Sequence, residues 1–315
     1  TPRSAESALS ATSGLWRQPQ RTLRNHLSTI RGEPQAPIGP GSMLWHYASD
    51  LRSMYPGMSL GLLQLMHPGI GAAVTEHSAF SAQPFQRVYR SVPQIWSALL
   101  LPDGEVRSRQ IRDLHSNISG TDGSQRRYHA LDPETFWWAH ACFTWGIFRS
   151  VELFHARQLD DYQRDRLYAE TLSWYDRYGM SSRPIPPDYA AFQAKFEYIC
   201  ADVLELTPAV QQALHTTPAE ASTALSTTSP WTGRLLRLVT PDLGLFSIGC
   251  FPPSVRERFD LNLSDDRQRR FDRLATLIRH GSRLVPDRVN HAILRTFLRQ
   301  TGARTRADRY RPTPR

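Results

Sequence analysis

Apolar positions recur at helical spacing along most of the chain. Leu44, Tyr47, Leu51 and Met54 are separated by 3, 4 and 3 residues, the stripe of an amphipathic helix. Leu60, Leu63 and Met66 precede a break at His67-Pro68-Gly69. Phe85, Val88, Ile95, Leu99 and Leu100 indicate helix around Pro93. Pro102-Asp103-Gly104 is a turn, and Glu105 to Ile118 again has helical spacing. Gly120 to Ser124 is expected to be a flexible loop. Asp132-Pro133-Glu134 has the form of a helix start, with Asp as cap and Pro in the first turn. That helix is expected to run to about Gln158, followed by one over Asp160–Tyr178. A Pro-rich connection covers Ser181–Asp188 and leads into a helix over Tyr189–Leu206. A Ser/Thr/Pro loop covers Thr216–Pro230. Leu235–Val239, Ser254–Phe259, Asp265–Ile278 and Asp287–Thr301 complete the set. No sustained strand alternation and no internal repeat interrupts this pattern. The pattern predicts an all-α fold, a single multi-helix domain over residues 41–301. It is preceded by an arm and linker (1–40) and followed by a basic tail (302–315).

The net charge of +9 in 315 residues resembles a nucleic-acid signal until its location is considered. Residues 1–35 hold five arginines against Glu6 and Glu33, and residues 302–315 hold five against Asp308. The intervening chain is close to neutral, so a specific nucleic-acid partner is not expected. The basic ends are either solvated or available for peripheral contact with an anionic membrane. The longest apolar run, Phe136–Phe148, contains His140 and is too short to span a bilayer. Cys142, Cys200 and Cys250 are widely spaced and odd in number, a poor disulfide framework. A reducing, cytoplasmic compartment is expected.

The helix beginning at Pro133 carries the most chemical information. At 100° per residue, the face around His140 gathers Phe136, Trp137, Phe143, Thr144, Ile147, Val151, Phe154 and His155. Trp138 and Trp145 occupy the other side, so this helix belongs in the interior. A neutral imidazole between Ala139 and Ala141 in an aromatic setting suits an axial metal ligand to a flat hydrophobic cofactor. A hydrogen-bonded core histidine is the alternative. His115 lies three residues after Arg112 and eight after Arg107. On one helix face these groups could bind cofactor carboxylates or polarise bound dioxygen, or they could form a solvated basic face. Gly57-Met58-Ser59-Leu60-Gly61 matches G-x-S-x-G but lacks the preceding strand of a nucleophile elbow. Glu152-Leu153-Phe154-His155 is half of a di-iron motif without its second copy. No P-loop and no G-x-G-x-x-G occurs.

In order along the chain stand LLQLMHPGIGAAVTEHSAFSAQPFQRVYRS, RSRQIRDLHSNISG, YHALDPETFWWAHACF, YAETLSWYDRYGM, IPPDYAAFQAKFEYI and RLVTPDLGLFSIGCFPPSVRERFDLNLSD. This ordered set resembles the catalytic domain of the rubber oxygenases (latex-clearing proteins) and the oxygenase that cleaves the prenyl chain in mycophenolic acid biosynthesis. The resemblance implies a globin-like core around haem b and dioxygen chemistry on hydrophobic, often isoprenoid, small molecules. It makes His140 the metal ligand, and the residues on the same helix face, Phe136, Trp137, Phe143, Thr144 and Ile147, are then expected to line the cofactor pocket. His115, Arg112 and Arg107 become the polar groups of the reaction side. The rubber enzymes' Lys-Thr pair is absent, since Leu114 and His115 stand there, which favours a bacterial branch other than polymer cleavage. His67 matches a family position and is expected to pack near the pocket. The expected function is therefore that of a haem-dependent oxygenase. A non-catalytic helical protein binding haem or a hydrophobic ligand is the alternative. The oligomeric state is not legible in the sequence.

Overall fold

A computed structural model describes residues 38–77, 84–215 and 243–308. The expected arm before residue 38, the whole Thr216–Pro230 loop, the Leu235–Val239 helix and the end of the basic tail lie outside the described residues. Thirteen α-helices occur among those described. They are α1 (Met43–Ala48), α2 (Gly57–Met66), α3 (Pro68–His77), α4 (Pro84–Leu100), α5 (Gly104–Asp113), α6 (Pro133–Phe154) and α7 (Asp161–Asp176). They continue with α8 (Tyr189–Tyr198), α9 (Pro208–His215), α10 (Leu243–Gly249), α11 (Pro253–Arg258), α12 (Asp265–Gly281) and α13 (Asp287–Asp308). The all-α expectation holds.

Helix α6 forms the axis of the fold. Asp132 caps it, its carboxylate accepting from the backbone N–H groups of Glu134 and Thr135, as the Asp-Pro-Glu start requires. Phe136, Trp137, Trp138, His140, Ala141, Cys142, Thr144, Ile147, Val151 and Phe154 are all buried. A helix this apolar on every side gains stability only by being enclosed. Helices α1, α2, α7 and α12 and a 3-10 turn over Leu51–Met54 pack against it. Trp138 and Trp145 stack on Phe196 of α8, at 4.9 and 5.4 Å between ring centroids. Lys195 lies over the Trp137 ring at 4.1 Å. A smaller cluster of Tyr55, Phe154, Leu245, Phe246, Cys250, Phe271 and Ala275 closes the far end of α6.

Helix α4 runs unbroken through Pro93, as the spacing predicts, because one missing N–H is tolerated where packing supports the remaining turns. Several boundaries depart from the sequence pattern. The helix expected over Glu105–Ile118 ends at Asp113. There the His115 ring takes the Ile111 carbonyl at 2.7 Å, the acceptor that the His115 N–H would use to extend the helix. That N–H turns instead to Arg112 O at 2.9 Å. The expected loop at Gly120 is a hairpin, with β1 (Ser119–Thr121) antiparallel to β2 (Arg127–His129). Asp122 organises its turn by accepting from the N–H groups of Ser124 and Arg126, both at 2.9 Å. Helix α6 stops at Phe154, four residues before the expected end. Helix α8 stops at Tyr198 and continues only as a π-turn over Ile199–Val203. The three cysteines are buried free thiols.

Candidate functional site

Helices α2, α3, α4 and α6 and the end of α5 enclose a cavity of about 450 Å³, within the range of small-molecule and cofactor sites. Leu60, Leu65, Ile70, Val74, Ile95, Trp96, Ile111, Phe136 and Phe143 supply most of its wall. Ser53, Gln64, Ser91, Gln94, His115, Thr135, His140 and Tyr178 supply its polar points, and no Arg or Lys lines it among the described residues. Leu114 lines the cavity yet is 56% exposed, which puts it at the mouth.

His140 lies on this wall and is buried. Its ring packs edge-on against Trp174, Tyr175 and Tyr178, with centroids 4.8, 5.1 and 6.0 Å away. All three come from α7 and the turn after it. Nε2 lies 3.2 Å from the backbone carbonyl of Thr171. A carbonyl only accepts, so Nε2 carries the proton and Nδ1 bears the lone pair. Nδ1 is buried without a hydrogen-bond partner, as are ring nitrogens of His67, His155 and His291, but among these four histidines His140 is the one that lines the cavity. Desolvation dominates the ring's titration, and its pKa falls to about 3. The imidazole is therefore neutral across physiological pH.

The sequence singled out nine site residues, and the structure groups them unequally. His140, His115, Phe136 and Phe143 share the cavity wall. Trp137, Thr144 and Ile147 are buried on α6 but do not line the cavity. Trp137 turns toward Phe192 and Lys195. Arg107 pairs with Asp103 at 2.7 Å, and Arg112 pairs with Asp113 at 2.7 Å. Arg112 also donates to the backbone carbonyl of Tyr178 at 3.0 Å. Neither arginine lines the cavity. The shared face expected for Arg112 and His115 required the helix to continue, and it ends between them.

Thr171 and Tyr178 were missed as site residues. Thr171, Trp174, Tyr175 and Tyr178 recur at helical spacing, but nothing in the sequence says which helix that stripe meets. His67 is half-buried and stacks on Trp138 at 6.4 Å, behind the cavity rather than on its wall. Ser59 of the G-x-S-x-G match lies inside α2, fully buried, and donates to the Ser247 carbonyl at 2.7 Å. His155 follows the end of α6 and packs on Tyr47. No group of three or more metal-ligating side chains occurs among the described residues.

The chain matches, over residues 45–280, the family described as ER-bound oxygenase mpaB/B'/Rubber oxygenase, catalytic domain. That span covers most of the sequence, so the chain belongs to this oxygenase family. It is 28% identical over 262 residues to the uncharacterized protein Mb2261 of Mycobacterium bovis and, equally, to the uncharacterized protein Rv2237 of Mycobacterium tuberculosis. Each match covers 79% of this chain and 96% of the relative. No solved structure gives a significant match. No helix among the described residues is long and apolar enough to cross a membrane.

Proposed function

We propose that the protein is a haem-b-dependent oxygenase that uses dioxygen on a hydrophobic small molecule. The observation that carries this reading is the unpartnered Nδ1 of His140, a neutral buried imidazole on the wall of an apolar cavity. A buried nitrogen lone pair without a donor is costly unless something coordinates it. The aromatic lining from Phe136 and Phe143 suits an apolar macrocycle, and membership of the oxygenase family supports the same chemistry. Three free buried cysteines accord with a reducing, cytoplasmic setting.

Haem b, when bound, would supply an iron that takes one imidazole nitrogen and activates dioxygen. The remaining work falls to the protein's own side chains. His140 would hold the metal, its ring orientation fixed by the Thr171 carbonyl and by the aromatic cage from α7. Leu60, Leu65, Ile70, Val74 and Ile95 would exclude water and accept an apolar substrate, which enters past Leu114. His115 would provide the polar contact on the cavity side, its ring anchored through Nδ1–H to the Ile111 carbonyl. Arg112 would act indirectly, holding the backbone beneath Tyr178 from outside the cavity. Arg107, paired with Asp103 on the exposed flank of α5, would have no contact with the reacting atoms.

Titrating the purified protein with haemin, followed by absorption spectroscopy, tests the reading. A Soret band that His140→Ala abolishes or displaces is expected, together with dioxygen uptake on adding an unsaturated hydrophobic compound. A protein that stays colourless with haemin overturns it. A haem-loaded protein with both His140 and His115 on the iron, and no dioxygen uptake, would point to the non-catalytic binding role instead.

A further inference from the structure

Among the described residues, four of the nine exposed large hydrophobic side chains fall in one short stretch: Leu277, Leu284, Val285 and Val289, at 67, 87, 44 and 47% exposure. They occupy the corner where α12 ends, a 3-10 turn runs over Ser282–Leu284 and α13 begins. Every residue from Arg283 to Val289 is exposed. Leu277 shares its face of α12 with exposed Arg273 and His280, at i−4 and i+3. Arg283 and Arg288 flank the apex. The inner side of the same elements is firmly held. Asn290, His291, Leu294 and Leu298 are buried, Phe271 and Ala275 anchor α12, and Arg279 grips the Leu153 carbonyl at 3.0 Å. The exposed side chains therefore project from a rigid corner.

The positive charge of the chain is concentrated on the two helices that meet at this corner. Residues 267–301 hold nine arginines against Asp272 and Asp287, while residues 36–266 hold more acidic than basic side chains. Arg304 and Arg306 extend the excess along α13.

We infer that this corner docks on the surface of an anionic phospholipid bilayer. Leu284 and Val285 would enter the headgroup boundary, and Arg273, Arg283 and Arg288 would meet lipid phosphates. Both components are needed for interfacial attachment without a spanning helix. Nucleic acid would use the arginines but leave four large apolar side chains in water. A second copy would cover the apolar side chains but bring two arginine-rich surfaces together. Anionic lipid satisfies both features. The inference does not depend on the oxygenase reading.

The test is sedimentation of the full chain with phosphatidylcholine vesicles, with and without phosphatidylserine, at increasing salt. Binding is expected only with the anionic lipid and should weaken as salt rises. R283Q/R288Q should lower partitioning by roughly tenfold or more, since each arginine near the surface contributes about fivefold. L284S/V285S should lower it by about tenfold. Leu284 and Val285 are exposed in the folded protein, so circular dichroism should find the variant's fold unchanged. Failure to bind phosphatidylserine vesicles overturns the inference. So does binding that L284S/V285S leaves intact, which would assign the contact to the arginine-rich ends. Light scattering that shows a dimer dispersed by L284S/V285S would also overturn it in favour of self-association.

Discussion

The Nε2–H of His140 donates to the backbone carbonyl of Thr171, 3.2 Å away on the adjacent helix. This contact decides which nitrogen of the ring keeps its lone pair. Thr171 is itself constrained, its hydroxyl donating to the Tyr168 carbonyl at 2.7 Å. The imidazole is thus held in one tautomer by a carbonyl in the middle of α7, and its other nitrogen has no protein partner. In metal centres, such a contact to the non-ligating nitrogen orients the ring and raises its basicity toward the metal.

Haemin uptake should consequently persist well below the pH at which an ordinary histidine protonates. An exposed imidazole loses its lone pair as pH falls through 6.5. Burial lowers the pKa of His140 to about 3, so the lone pair stays available until the fold itself fails. Spectroscopic haemin titrations between pH 8 and about pH 5.5 should give nearly constant affinity. A tenfold weakening centred near 6.5 would show that His140 is not the group engaged.

Filling the cavity should separate binding from folding. Ala139 lines the cavity beside His140. Ala139→Trp should block uptake of haemin and of apolar ligands, at a stability cost of about 1–3 kcal/mol for overpacking. Calorimetry would give the change in Tm, and absorption titration the loss of binding. A variant that binds haemin normally would move the site elsewhere.

Acid should destabilise the fold in a defined window. Burial lowers the pKa of His67 and of His155 to about 4. The unfolded chain takes up these protons near pH 6.5, whereas the folded protein does so only near 4. Stability is therefore full above about pH 6.5 and falls as pH drops toward 4, by about 1.4 kcal/mol per histidine per pH unit. Below that the slope from these groups ends. Urea denaturation at several pH values would measure it, and H67F and H155F should each flatten the curve.

The junction between α13 and the Leu51–Met54 turn should depend on Asp50. Its side chain is fully buried, and its Oδ1 accepts from the backbone N–H and Nε of Arg52, at 2.8 and 2.9 Å. Asn290 from α13 donates to the same carboxylate and accepts from the Leu51 N–H at 3.1 Å. Together these contacts hold the Asp50 pKa down to about 2, against the cost of burial. Removing one partner of a buried ion pair strands the other. Asp50→Ala should destabilise the protein by about 3 kcal/mol or more, measured by chemical denaturation, and Asp50→Asn should recover part of that loss.

The elements of α6 were readable because their determinants are local. Asp132 and Pro133 announce the start, and a surface without a polar stripe announces burial. His140 stood out for the same reason, as an imidazole in the buried, aromatic stretch of a largely apolar helix. The ends of helices were less legible. Helix α5 stops where the His115 side chain competes with backbone for the Ile111 carbonyl, and α8 gives way to a π-turn at Ile199. Each outcome depends on a side-chain or packing choice that the periodicity does not encode. The Asp122 turn reads as a loop for a related reason, since carboxylate contacts, rather than strand alternation, hold the short hairpin.

By itself, then, the sequence determined an all-helical chain, an apolar central helix with a histidine in it, and the ordered motifs of an oxygenase family. Only the tertiary structure decided which groups surround that histidine. Thr171, Trp174, Tyr175 and Tyr178 reach it from a separate helix, while Arg107 and Arg112 turn toward Asp103, Asp113 and the Tyr178 backbone. Helical spacing specifies which side chains share a face, but not which face meets which. That pairing follows from how the whole set of apolar surfaces is buried together, a global property of the fold.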